Sequence, residues 1–182
     1  MFKEIVEDAR QGMEKVIEIL NQNLGRMRTG RANLAILESV RVEYYGTPSP
    51  LNQVAALTVA DARMITVKPW DKSLLGAIEK AIVIANIGIT PANDGEIIRL
   101  PIPPLTQERR NDLCKQARKQ GEEARVAIRS LRRDANELVK SLQGTSEDEE
   151  QRTLKQIQEM TDKFVSQTEA IVTAKEKEIN EA

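Results

Sequence analysis

Arg118, Arg125, Arg129, Arg132 and Arg133 carry the clearest chemistry in this chain. At 100° per residue the first four fall within about 60° of one another on a helix, roughly a third of a turn from its apolar stripe. Arg133 lies nearly opposite that stripe. A guanidinium presents a planar fork of donors that matches phosphate oxygens, so a row of arginines on one helix face suits a polyanion. Arg129, Arg132 and Arg133 crowd one another with only Glu122 near their sector, and concentrated like charge is costly unless an anion answers it. The competing reading is that the row merely solvates the helix or pairs with an acidic neighbour. Aromatic residues make up only 3% of the chain. Without stacking rings, a basic helix recognises shape and backbone rather than single-stranded sequence.

The same residue types exclude most catalysis. There is no histidine, and Cys114 is the single cysteine. That removes intrachain disulfides, Cys and His metal sites, and nucleophiles served by an imidazole base. Lysine or carboxylate chemistry would need a glycine-rich phosphate loop or a spaced carboxylate cluster, and neither is present. The sequence therefore predicts no catalytic residue, no metal site and no cofactor. Cys114 reads as a small hydrophobe and Trp70 as a packing residue. Tyr44 and Tyr45 should point to opposite faces of a strand, one into a core and one outward. Arg63, Lys68 and Lys72 read as a solvated face, with a second basic patch as the alternative.

A net charge of −1 hides a segregation along the chain. Residues 106–142 hold ten basic against six acidic side chains, whereas 146–182 hold five against ten. The arginine row thus sits on a basic segment followed directly by an acidic one.

The elements that must position it follow from apolar spacing. Phe2, Ile5, Val6, Ala9, Met13, Val16, Ile17, Leu20, Leu24 and Met27 recur in steps of three and four, predicting one helix that Gly30 brings to an end. Thr106 and Glu108 open a second helix after Pro103 and Pro104. Its stripe runs Leu113, Ala117, Gly121, Ala124, Ile128, Leu131, Ala135, Leu138 and Leu142. Ser146 and Glu149 have capping-box spacing and open a third, with Leu154, Ile157, Met160, Phe164, Thr168, Ile171 and Ile179 facing inward. The short break around Gly144 makes the last two helices antiparallel neighbours, and three single stripes bury one another only around a common axis.

Between the first two helices the pattern changes. Val40, Val42 and Tyr44 alternate, Thr58–Val59 and Met64–Val67 are short β-type runs, Ser73–Ala85 reads as a short helix, and Asn93–Gly95 turns into a strand over Glu96–Leu100. The expected fold is α+β: an elongated antiparallel three-helix bundle, residues 1–30 plus 105–182, with a small β-rich α/β domain, 31–104, inserted into it. The two crossings, Thr29, Gly30 and Arg31 inbound and Pro101, Pro103 and Pro104 outbound, are the places for a hinge, the alternative being a rigid corner with both domains packed together. No apolar run approaches the ~18 residues a membrane span requires. The charged Met1–Asp8 segment has no secretory core, so a cytoplasmic protein without membrane contact is expected.

Four stretches together resemble the bacterial ribosome recycling factors (ribosome-releasing factors). They are Arg28–Ala32, Val42–Pro48, Pro103–Arg110, and Ala124–Asn136 with its Arg132–Asn136 run. The resemblance spans essentially the whole chain in the same order. It implies an L-shaped, tRNA-like monomer that enters the post-termination ribosome and, with elongation factor G and GTP, splits it into subunits and frees it from mRNA. It further implies that the bundle grips large-subunit rRNA through Arg110, Arg129 and Arg132, with Arg133 added to that set. The turn at Leu142–Ser146 is short for the family. A coiled-coil scaffold that binds a protein through the same basic face is the alternative from another class.

Overall fold

The apolar spacing of the first segment produces helix α1 (Phe2–Gly25), which buries Ala9, Met13, Ile17, Leu20 and Leu24. In this computed structural model, which describes residues 1–181, there follow strands β1 (Arg41–Tyr44) and β2 (Thr47–Pro50) and a single turn of helix, α2 (Leu51–Val54). Next come β3 (Ala55–Asp61), β4 (Met64–Pro69), helix α3 (Leu75–Ile84), β5 (Ala92–Asn93) and β6 (Ile98–Pro101). Two 35-residue helices, α4 (Gln107–Ser141) and α5 (Glu147–Glu181), complete the chain. Each is about 50 Å long at 1.5 Å per residue. The chain divides into two units, Met1–Arg28 with Gln107–Glu181, and Thr29–Thr106.

The helical unit is a three-helix bundle in which every helix packs on the other two. Contacts descend along α5 as they ascend along α4, from Arg110 with Asn180 to Arg125 with Glu169, so these helices are antiparallel. Met13, Ile17 and Ile128 fill the middle of the bundle. Ala9, Ala135, Val139 and Ile157 fill one end, and Leu20, Leu24, Ala117 and Ala124 the other. Ser146 Oγ accepts from the Glu149 backbone N–H at 3.2 Å and caps α5. Four acidic residues, 147–150, occupy the positive end of its dipole.

Three sequence expectations shift here. Helix α1 stops at Gly25, five residues before Gly30, because Met27 N–H already donates to the Leu24 carbonyl and tightens the last turn. On α4, Leu138 is 55% exposed and Val139 takes its place in the core. A helix of 3.6 residues per turn drifts against an alternating four-three pattern, and an extra step of four from Ala135 resets the seam. On α5 the fully inward line is Thr153, Ile157, Thr161, Thr168, Val172 and Ile179, while Leu154, Met160, Phe164 and Ile171 are half-buried. Each inward threonine donates its hydroxyl to the carbonyl four residues back, at 2.7–2.9 Å. That bond satisfies the polar group within its own helix and leaves a methyl to pack.

The second unit is an antiparallel sheet in the order β3-β4-β6-β5 with a separate β1–β2 hairpin. Ile65 and Val67 of β4 and Ile98 and Leu100 of β6 point inward and meet Ile78 and Ile82 of α3, together with Val40, Val42, Leu51 and Val54. Strand β6 starts later than Glu96. Asp94 accepts from both Glu96 and Ile97 backbone N–H groups, at 3.0 and 2.9 Å, and holds them in the turn. Neither tyrosine reaches the core: Tyr44 ends β1, and Tyr45 with Gly46 forms the tight hairpin turn at φ +49° and +78°. The two rings meet edge to face, centroids 4.4 Å apart, on the surface. Trp70 is 70% exposed, so it packs into no core.

Both ends of this unit are tied to one turn. Ala32 N–H donates to the Ala62 carbonyl and Ile102 N–H to that of Arg63, each at 2.8 Å. Pro101 pairs with Met64 as the last residue of β6, so it belongs to the sheet rather than to a free crossing.

Candidate nucleic-acid interface

The arginine row lies nearer the α4–α5 seam than a third of a turn implies, since Arg125 and Arg132 are half-buried. Helix α5 therefore answers Arg118, Arg125 and Arg132 in turn as the two helices run past each other. Arg118 pairs with Glu176. Arg125 contacts Glu169 at 3.6 Å across the seam and Glu122 at 3.5 Å on its own helix. One step further the partner changes from a carboxylate to an amide, with Arg132 Nη1 donating to Gln158 Oε1 at 3.2 Å.

Arg129 and Arg133 are exposed, and together with Arg132 they have no carboxylate partner among the described residues. The charge that the sequence spreads over five arginines is thus neutralised at two of them and left standing at three. Within one turn of helix, about 6 Å of rise, these three present uncompensated guanidinium groups on one stretch of surface. Burial adds a second feature there. Arg132 Nε and Asn136 Oδ1, one turn apart on α4, are buried without a hydrogen-bond partner.

Arg110 stands elsewhere. It is half-buried near the start of α4, and its Nη1 donates to the Asn180 carbonyl at 2.7 Å near the end of α5. Nineteen residues separate it from Arg129, about 28 Å along the helix, so it belongs to a separate contact region of the same helix. Cys114 is buried beside it, with Sγ 4.0 Å from Asn180 Oδ1.

Of the hinge residues, Gly30 has φ +81° and Thr29 is buried, while Arg31, Pro103 and Pro104 are exposed. In the second unit a cleft of about 640 Å³ is lined by Leu34, Leu37, Arg41, Leu51, Leu57 and Trp70 among others. No group of His, Cys, Asp and Glu side chains among the described residues could hold a metal ion. Among the described residues no helix is long and apolar enough to cross a membrane.

Gln158 and Asp162 look like any other polar residues of a charged sequence, and Asn136 stands out in it only as the end of the Arg132–Asn136 run. The available signal was spacing: Gln158 precedes Asp162 by one turn, and Asn136 follows Arg132 by one turn.

A three-helix bundle with a half-neutralised arginine row, interrupted after its first helix by an α+β unit, defines a class of two-unit protein with an uncompensated basic face on one helix. The comparisons make the class specific. The family model described as ribosome recycling factor matches residues 20–179, and the chain belongs to the ribosome recycling factor family. It is 52% identical to the ribosome-recycling factor of Carboxydothermus hydrogenoformans over 98% of both chains. Identity to that of Symbiobacterium thermophilum is 49% over the full length of both. A solution structure of the ribosome recycling factor superimposes with a TM-score of 0.74 at 38% identity, covering 100% of this chain and 98% of the other. A further match has a TM-score of 0.61 at 44% identity, covering 98% of each chain. It comes from models of the Thermus thermophilus ribosome recycling factor and the Escherichia coli elongation factor G bound to the E. coli post-termination complex.

Proposed function

We propose that this protein recycles ribosomes after termination. It binds the post-termination ribosome and, together with elongation factor G and GTP hydrolysed by that factor, splits it into subunits and frees it from mRNA. The chain acts as a cytoplasmic monomer and contributes binding and geometry, while its partner supplies the chemical energy. The helical unit holds large-subunit rRNA through the phosphate-facing forks of Arg129, Arg132 and Arg133, with Arg110 as a second contact along the same helix. The observation that carries this reading is the change of partner along the α4–α5 seam. Glutamates answer Arg118 and Arg125, whereas Arg129, Arg132 and Arg133 are left for an external anion.

Thr29, Gly30, Arg31, Pro103 and Pro104 join the units as a hinge, and Pro101 anchors the sheet side of it. The decisive experiment is subunit splitting from purified post-termination ribosomes, measured with and without elongation factor G and GTP. Splitting that requires this protein and both additions is expected. Ribosomes that neither bind the protein in co-sedimentation nor split in its presence would instead leave a scaffold for a protein partner.

A further inference from the structure

We infer that Gln158 of α5, itself oriented by Asp162, is a positioning residue that holds Arg132 ready for rRNA. The inference deepens the proposed function and rests on the reading that Arg132 contacts RNA.

The arrangement is a short chain of donors and acceptors. Gln158 Nε2 donates to Asp162 Oδ1 at 2.8 Å, and Gln158 Oε1 accepts from Arg132 Nη1 at 3.2 Å. The chemistry of the two ends fixes the direction of the middle. A carboxylate only accepts, so the amide must turn its NH2 toward Asp162; a guanidinium only donates, so the carbonyl oxygen left over must face Arg132. Reversing the amide would set NH2 against a guanidinium and oxygen against a carboxylate, breaking both bonds at once. Gln158 and Asp162 are one helical turn apart, the spacing at which such side chains meet.

The contact engages Nη1 and leaves the Nη2 end of the Arg132 fork free. The buried Nε offers no escape route, since its surroundings are already closed. Arg132 is therefore held at its stem by burial and at one tip by Gln158, while Arg129 and Arg133 are exposed without such a hold. A free arginine loses rotamer entropy when it seizes a phosphate, and one already held in place loses less. An amide suits this task better than a glutamate would, because it orients the guanidinium without neutralising the charge that phosphate must see. At the corresponding seam positions of Arg118 and Arg125 the structure has glutamates, which hold those arginines and cancel their charge.

The test is a double-mutant cycle on the full chain, read as affinity for purified large ribosomal subunits at fixed salt, with thermal melting of each variant. Gln158→Met keeps the side-chain length, removes the acceptor and lies on an exposed position. It should weaken binding about five-fold in the otherwise native protein, the size expected for one hydrogen bond, and leave the melting temperature unchanged. In the Arg132→Ala background the same change should cost nothing, because a positioning residue has nothing left to position. Equal weakening in both backgrounds, no weakening in the native background, or a loss that appears only as a lowered melting temperature overturns the relay while the Arg132 contact stands. If Arg132→Ala itself binds as tightly as the native protein, the RNA contact and the relay fall together.

Discussion

Gly121 of α4 faces Val172 of α5 so closely that a β-carbon built on the glycine would lie 2.5 Å from Val172 Cγ2. The two long helices thus approach backbone to side chain at this level, between the ion pairs of Arg118 and Arg125 with α5. Gly12 of α1 makes a looser approach, with its built β-carbon 3.1 Å from the Leu131 methyl carbons. Alanine in a helix gains about 1 kcal/mol over glycine, while overpacking costs about 1–3 kcal/mol. At Gly121 the overpacking term wins, because valine is stiff about χ1 and its methyl cannot swing aside. Gly121→Ala should destabilise the bundle by about 1 kcal/mol net, and Gly12→Ala, where a leucine tip can yield by a few tenths of an ångström, should be neutral or slightly stabilising. Denaturant midpoints of the two variants check the difference in sign.

The partition of the arginine row separates fold from function. Arg129→Ala and Arg132→Ala should each weaken ribosome binding about ten-fold or more, at the strength of a charge-assisted contact, and leave the melting temperature within about 2 °C. Arg118→Ala removes a guanidinium already answered by Glu176 and should change ribosome binding less than either. A melting temperature that drops sharply in the Arg129 or Arg132 variant, with binding intact, would mean that the row serves the bundle alone.

Binding carried by guanidinium–phosphate contacts must respond to salt. If about four phosphates are neutralised, the plot of log affinity against log salt should have a slope on the order of −3. Arg132→Ala should make it shallower by about one. A titration of ribosome co-sedimentation across salt concentrations measures both, and a flat line would refute the electrostatic reading.

Acid should loosen the inserted unit through Asp94. The Ile97 backbone N–H, then that of Glu96, with Arg99 nearby, hold this carboxyl below the usual range. A carboxyl whose folded-state pKa is depressed contributes stability that is fully present above its unfolded value and is lost as pH falls through the folded one. The unit should therefore lose stability below the ordinary aspartate range, and Asp94→Asn should flatten that part of the profile. Unfolding followed by Trp70, the chain's single tryptophan, reports on this unit directly.

At the inbound crossing, Gly30 has φ +81°, a conformation that a β-branched side chain adopts only with strain. Gly30→Val should disfavour the present conformation by about 1 kcal/mol or more. If hinge motion is part of splitting, the variant should bind large subunits normally but split post-termination ribosomes more slowly. Unchanged splitting would make the factor a rigid wedge.

Residue spacing by itself determined the three helices, the inserted unit and the basic character of α4, because each rests on a periodicity that backbone geometry enforces locally. The cap at Ser146 and the strands around Val42 and Ile65 were legible for the same reason. Spacing failed where a neighbouring element decides. Thr153 and Thr161 read as polar, yet each spends its hydroxyl on its own helix, as the inward Thr168 also does, and becomes core once α1 and α4 close over it. Leu138 and Val139 exchange places because the seam follows the partner helices rather than an ideal repeat. Tyr45 left the strand pattern because the hairpin needs positive φ at that point. Above all, the sequence presented four arginines as one charged row with Arg133 to one side of it, and only the antiparallel docking of α5 sorted them. Charge compensation depends on which side chain stands across the seam, a relation between residues 26 to 58 apart that no local pattern encodes.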